Sequence, residues 1–464
     1  MTQPSSTGTA PQPPVPPSAP PPLPAPPPAR RSAWAEGVDR LRAAATTEPG
    51  RLRIIGAVIA ALVVAFGATT AWQISDRAAA ADDVVSRSQP LSADAASIYR
   101  SLADADTAAA SGFLAGGQEP HELRERYRKD IANASRLLVK AAASTDSSGD
   151  SGKQIAQLNE QLPAYTSLIE QARANNRQGF PVGGAYLRRA NEKMSTELLP
   201  AAKDLYESET ERLYQDYDDA NSWPFIALGS GVLSLGGLAW AQRRNYHRTN
   251  RVFNHGLVAA TAASAVVLLW LAVGHTLARS GLNESQAHGQ ESLKVLNNAR
   301  ISSLQARANE NLTLVARGAV LAEDGKSDKY EAEHNSAMKT LTSGLARAQR
   351  IADDSEGREP VAGAQAGMTE WKKRHTAARD TDNKGDYDGA LAQIIGAKNS
   401  TGECFDEVDA SLEKALAHEQ REFKQAAQDG RGAMTGLALG AAVLAVLGAM
   451  AAVLGIGRRL SEYR

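Results

Sequence analysis

The stretch WPFIALGSGVLSLGGLAWAQRRNYHRTNRVFNHGLVAATAASAVVLLWLAV, residues 223–273, decides how the whole chain is read. Residues 223–241 form one apolar run and residues 252–273 a second; a helix needs about 20 such residues to cross a bilayer. Between them, residues 242–251 carry Arg243, Arg244, Arg248 and Arg251 and no acidic side chain. A surplus of arginine in a short connection marks the cytoplasmic side. The stretch therefore predicts a membrane hairpin that divides the chain into two halves, both tethered to the same bilayer.

Outward from the hairpin, residues 54–72 and 434–456 read as two further spans. The basic segment 30–53, with Arg30, Arg31, Arg40, Arg42, Arg51 and Arg53, holds the start of the first span inside. Arg458, Arg459 and Arg464 do the same for the stub 457–464. The alternation predicts cytoplasmic N- and C-termini and two outer segments, 76–221 and 280–431, for a multi-pass membrane protein. Residues 1–29 are a Pro/Ser/Ala tract. It is expected to stay disordered in the cytoplasm, with docking to a Pro-recognising partner as the sharper reading. No signal-peptide cleavage pattern opens the chain.

Each outer segment divides into four helices at Gly- and Pro-rich breaks. In the first they cover about 76–115, 120–144, 153–177 and 184–221. In the second they end at about 323, 353, 379 and 429, the last beginning near 386. Met194, Leu198, Ala201 and Leu205 alternate at the spacing of a bundle seam. A shift of 206 residues places Tyr165 on Trp371, Ala172 and Arg173 on Ala378 and Arg379, Gly179 on Gly385, Gly183 on Gly389 and Gly112 on Gly318. The expected fold is an all-α membrane protein with four transmembrane helices and two extracytoplasmic four-helix bundles in tandem repeat.

The formal net charge of -1 over 464 residues gives no sign of nucleic-acid binding. Cys404 is the one cysteine, so no intrachain disulfide can form. No catalytic, cofactor-binding or metal-ligating motif is found. His121, His334, His375 and His418 stand apart in sequence and read as surface residues, so neither an enzyme nor a cofactor is expected, and ligand-binding residues are left unassigned. The span interiors contain no Asp, Glu, Lys or Arg, which disfavours an ion path. Gly432, Gly436 and Gly440 read as a small-residue packing face, with Gly256, Ala260 and Ser264 a softer version. Pro224 and Gly430 mark hinges between bundle and span. The four arginines of 242–251 are the candidate cytoplasmic output. Glu207, Glu209, Glu211, Asp216, Asp218 and Asp219 read as a solvated acidic face.

A membrane-bracketed helical bundle resembles the ligand-binding region of bacterial chemoreceptors and histidine kinases, and Asn383, Lys384, Gly385, Asp386, Tyr387, Asp388, Gly389, Ala390 and Leu391 look like the turn before that family's last helix. The doubled layout with little chain inside is similar to the actinobacterial GlnX-type membrane protein. That resemblance implies a sensor or signal relay, an extracytoplasmic amino-acid-binding lipoprotein outside, a soluble Ser/Thr protein kinase inside, and leaves homo-oligomers open. The alternative is a structural or scaffolding protein of the cell envelope.

Overall fold

The structure, a computed structural model, describes residues 46–249, 254–284, 289–396, 398–434 and 436–461. The Pro-rich tract 1–29, residues 30–45 of the basic segment, Arg251 and residues 462–464 of the stub lie outside the described residues. The described chain is all-helical apart from one isolated β bridge, Leu321 to Asp328.

Helix α1, Glu48–Asp83, runs through a π-helical turn, Val84–Ser88, straight into α2, Gln89–Leu114. The stretch Gly50–Leu114 spans 65 residues, far beyond the roughly 20 a crossing needs, so the apolar stretch and the helix that follows it form one rod. Next come α3, His121–Ser144, α4, Asp150–Arg177, and α5, Val182–Lys193. A second π turn, Met194–Leu198, leads into α6, Leu199–Asn221. The helix breaks at Ser222 to Pro224, where proline supplies no N–H, and resumes as α7, Phe225–Thr249. The second half comprises α8, His255–Glu284, α9, Glu291–Ala316, α10, Lys329–Ile351, and α11, Ser355–Asn383. It ends with α12, Tyr387–Ile395, α13, Thr401–Ala433, and α14, Leu437–Ser461.

Four helical stretches are long and apolar enough to cross a membrane, within α1, α7, α8 and α14. Neighbouring helices bury only 28–33% of each apolar window, leaving Val58, Leu233, Leu269 and Leu454 exposed. Such a surface would drive association in water and is the expected one against lipid. Inside, Ile59, Val63, Leu238, Leu257, Ala452 and Ile456 form a shared core of all four spans. Small residues set the closest crossing: a side chain on Gly256 would run into the backbone at Ala451 and Gly455.

Beyond the spans, the two halves share one continuous core instead of standing as two separate bundles. Its largest apolar cluster runs from Ile98, Leu138 and Tyr165 to Leu341, Trp371 and Leu412. The reason lies in α2 and α9, whose buried residues point in every direction and are mostly Ala, Ser, Thr and Asn. A helix buried on every side is covered all round by its neighbours, and its polar side chains must find partners there. Small side chains then allow direct contact, as Thr107 Oγ1 donates to the Leu304 carbonyl at 2.9 Å and Asn311 Nδ2 to Ser111 Oγ at 2.7 Å.

In the second half, helix limits differ from those expected at two places. The helix expected to reach residue 323 ends at Ala316, because Arg317 and Gly318 take φ of 48° and 73°, a left-handed cap. The helix expected over 386–429 is two, α12 and α13. The chain turns out at Gly396 and at Asn399, φ 56°, and Ser400 Oγ then accepts the Glu403 N–H to cap α13.

Candidate functional site between the two halves

α2 and α6 are joined to the spans α1 and α7. α9 follows α8 after residues 285–290, and α13 leads to α14. These four helices enclose a cavity of about 170 Å³ at the ends nearest the spans. Arg100 reaches into it from α2, Tyr206 and Thr210 from α6, Gln290 from the cap of α9, Asn297 from α9 itself, and Phe423 from α13. Arg100 Nη1 donates to Asn297 Oδ1 and Nη2 to Ser97 Oγ at 2.8 Å. Burial, and then the Arg300 guanidinium, push the Arg100 guanidinium down to about 10. Gln290 is 4% exposed, yet neither end of its amide bonds within the protein. Leaving such a group unpaired costs about 1–3 kcal/mol, so a polar guest that bonded Gln290 would recover it. Arg100, the amides of Gln89, Gln290, Asn297 and Gln420, and several hydroxyls line this small space, while the one carboxylate there, Asp94, is paired with Lys140 at 2.7 Å; the set suits a molecule with a carboxylate and a second polar group.

Ser97 and Arg100 also line a wider cleft of about 760 Å³. There Asp409 of α13 accepts Arg300 Nε at 2.7 Å and Arg126 Nη2 at 3.3 Å, and Arg126 Nε donates to Asp104 at 2.8 Å. Burial, and then the Asp104 carboxylate, push Asp130 up to about 8. The network joins α3 of the first half to α13 of the second.

Deeper in the core, each half holds a buried acid hydrogen-bonded to a large ring. Asp106 accepts the Tyr165 hydroxyl at 3.1 Å and the Asn191 amide at 2.7 Å. Burial raises its carboxyl to about 6. Glu310 accepts Trp371 Nε1 at 3.1 Å, pairs with Arg307 at 2.5 Å and lies 2.9 Å from His375 Nδ1. Burial pushes Glu310 up, but the Arg307 charge and the His375 hydrogen bond outweigh it and hold the carboxyl at about 2. Burial likewise pushes His375 down, while hydrogen bonds to Glu310 and Glu331 hold it up at about 9.

The residues singled out from sequence fall in varied places. His334, His375 and His418 are buried, not on the surface, and His334 stacks on His375 with ring centroids 3.9 Å apart. The stripe Tyr330, His334, Met338, Leu341, Leu345 carried the signal, since it continues across the histidine. Gly432, Gly436 and Gly440 do not form one face. Gly436 has φ 79° in the break between α13 and α14, nothing lies near a side chain built on Gly432 or Gly436, and only Gly440 abuts a neighbour, Trp270. Pro224 sits in the observed break. Gly430 continues α13 and instead packs on α8, 3.1 Å from where a Gly281 Cβ would stand. The connection expected over 242–251 is helical as far as Thr249. Arg243 is exposed and Arg244 lies over the Trp240 ring, centroid distance 5.4 Å. The acidic row is not one solvated face: Glu209 is 3% exposed, and Asp216 accepts Ser88 Oγ. The sequence reading missed Arg100, Asn297 and Gln290, which are polar residues on helices otherwise read as packing surfaces.

Residues 80–218 match the family model of an actinobacterial sensor domain. The match covers the end of α1 and the whole first half through most of α6. Nothing among curated proteins or solved structures matches the chain.

Proposed function

We propose that this protein is a non-enzymatic transmembrane sensor that takes a small polar ligand, an amino acid or similar carboxylate, in the Arg100 cavity. The carrying observation is that every wall of that cavity belongs to a helix leading to a span. The sensor-domain match to residues 80–218 supports the same reading. A ligand that drew Arg100, Gln290 and Thr210 together would shift α2, α9 and α6 at their span-ward ends. The volume is below the ~300–1,000 Å³ of pockets for drug-sized molecules, which favours a compact guest.

The helical body stands outside the cell in this reading, with both termini and Arg243, Arg244, Arg248 and Arg251 inside. The halves act as tandem copies of one unit. The matching burial of Tyr165 and Trp371 and the left-handed Gly179 and Gly385, φ 71° and 86°, support the duplication. By the GlnX-type resemblance, a binding lipoprotein would present the ligand outside and a Ser/Thr kinase would read the arginines inside.

The test is thermal melting of the detergent-solubilised full chain against a panel of amino acids and small carboxylates, with Arg100→Gln alongside. At least one compound is expected to raise the melting temperature of the wild type and not of the variant. A panel without any such compound favours the envelope-scaffold alternative.

A further inference from the structure

Asp354, His418 and Glu422 bring one ligand atom each to within 4.8 Å of one another. His418 is 7% exposed, and its Nε2 makes no hydrogen bond. That nitrogen faces Asp354 Oδ2 at 3.3 Å and Glu422 Oε2 at 3.5 Å. A first-row divalent ion bound at about 2.0–2.2 Å holds tetrahedral neighbours about 3.3–3.6 Å apart. Two of the three edges already have that length.

Local structure prepares each donor. Asp354 caps α11, its Oδ1 accepting the Gly357 N–H at 2.7 Å, which leaves Oδ2 free. His418 and Glu422 stand four residues apart on α13, on one face of the helix. On the far side of the ring, Nδ1 faces Glu356 Oε2 at 3.5 Å. A carboxylate that took up the Nδ1 proton there would favour the tautomer that frees Nε2 for a metal. Gly357 leaves the room: a Cβ on it would stand 3.3 Å from Glu419 Oε1 and 3.5 Å from His418 Cδ2. Asp354 and Glu422 are 41% and 44% exposed, so an ion can enter from solvent.

We infer that Asp354, His418 and Glu422 form a binding site for a divalent transition-metal ion, Zn²⁺ or Mn²⁺ in type, completed by water. The imidazole in the set favours such an ion over Mg²⁺ and Ca²⁺, which take oxygen donors. Bound there, the ion clamps the start of α11 to α13, the helix that leads to α14. The site is separate from the Arg100 cavity and needs no ligand in it.

The test is calorimetric titration of the tag-free, chelator-treated full chain with ZnCl₂ or MnCl₂ alone, and with MgCl₂ and CaCl₂ for comparison. Circular dichroism of each variant checks that it folds. One saturable ion per chain is expected with zinc or manganese. Loss of an outer carboxylate partner commonly costs about 10–100-fold in metal affinity, so Glu356→Gln is expected to weaken binding about tenfold and His418→Gln by more. Glu422→Gln alters a half-exposed side chain and serves as the variant least prone to misfolding; it is expected to lose at least about tenfold as well. Absence of saturable zinc or manganese binding by the wild type overturns the inference. So does binding that a folded His418→Gln or Glu422→Gln chain retains at wild-type strength.

Discussion

Asp106 and Glu310 are each buried on the central helix of their half, and each accepts a hydrogen bond from the ring that the 206-residue shift pairs, Tyr165 or Trp371. Their charge states are set in opposite directions, to about 6 and about 2. The difference comes from the partners: Asp106 has only neutral donors, whereas Glu310 has Arg307 and His375.

Asp106 makes the protein less stable as pH rises. Its folded value of about 6 lies above the ordinary 3.8, so its contribution is complete below 3.8 and is lost through 6. The loss is on the order of 3 kcal/mol. Asp106→Asn should flatten the melting profile between these limits and melt higher than wild type at neutral pH. An unchanged slope in the variant would show that another group carries the dependence.

His375 adds a second, alkaline loss. Its value is raised from 6.5 to about 9, so its contribution is present below 6.5 and fades as pH rises through 9. Glu310→Gln leaves the buried Arg307 without its acid and His375 with Glu331 alone, and should cost about 3–5 kcal/mol in a denaturant titration at neutral pH. A cost below about 1 kcal/mol would mean that solvent already screens the group.

How far sequence alone reaches can be traced residue by residue. The spans and the turns at Gly179 and Gly385 were legible, because apolar length and left-handed glycine are local properties. The end of α9 was not, since Arg317 adopts φ 48° although nothing in its type demands it. The union of the halves rests on α2 and α9, where a run such as Ala103 to Ser111 reads equally well as a helix seam or as an all-round buried rod. The Arg100 cavity depends on four helices far apart in the chain, a relation that no spacing encodes. The buried histidines were within reach, since each continues an apolar stripe.

The close α8–α13 crossing rests on Gly281 and Gly430, not on the 432–436–440 set. A Cβ on Gly430 would lie 2.9 Å from Leu282 Cγ and 3.1 Å from the Ala278 carbonyl. Gly430→Leu should loosen the crossing and cost about 1–3 kcal/mol by overpacking. Gly436→Leu should act through its φ of 79° alone, without altering crosslinking between α8 and α13. Equal crosslinking in wild type and Gly430→Leu would remove that crossing as a packing site.

Replacing Arg243, Arg244, Arg248 and Arg251 by Lys keeps the positive charge but loses the planar fork that pairs with carboxylates. Protease protection in intact protoplasts should then be unchanged, with residues 76–221 and 280–431 cleaved from outside, while capture of a cytoplasmic partner weakens. Capture at wild-type strength would reduce these arginines to a topological anchor.

The central claim is that the cavity communicates with the spans. The most direct measurement is the distance between spin labels at Arg243→Cys and Arg458→Cys, in a Cys404→Ala full chain in lipid nanodiscs, with and without a compound that raises the melting temperature. The distance distribution is expected to shift with the compound and not to shift when Arg100→Gln is added. A compound that binds through Arg100 and leaves the distribution unchanged would contradict the claim.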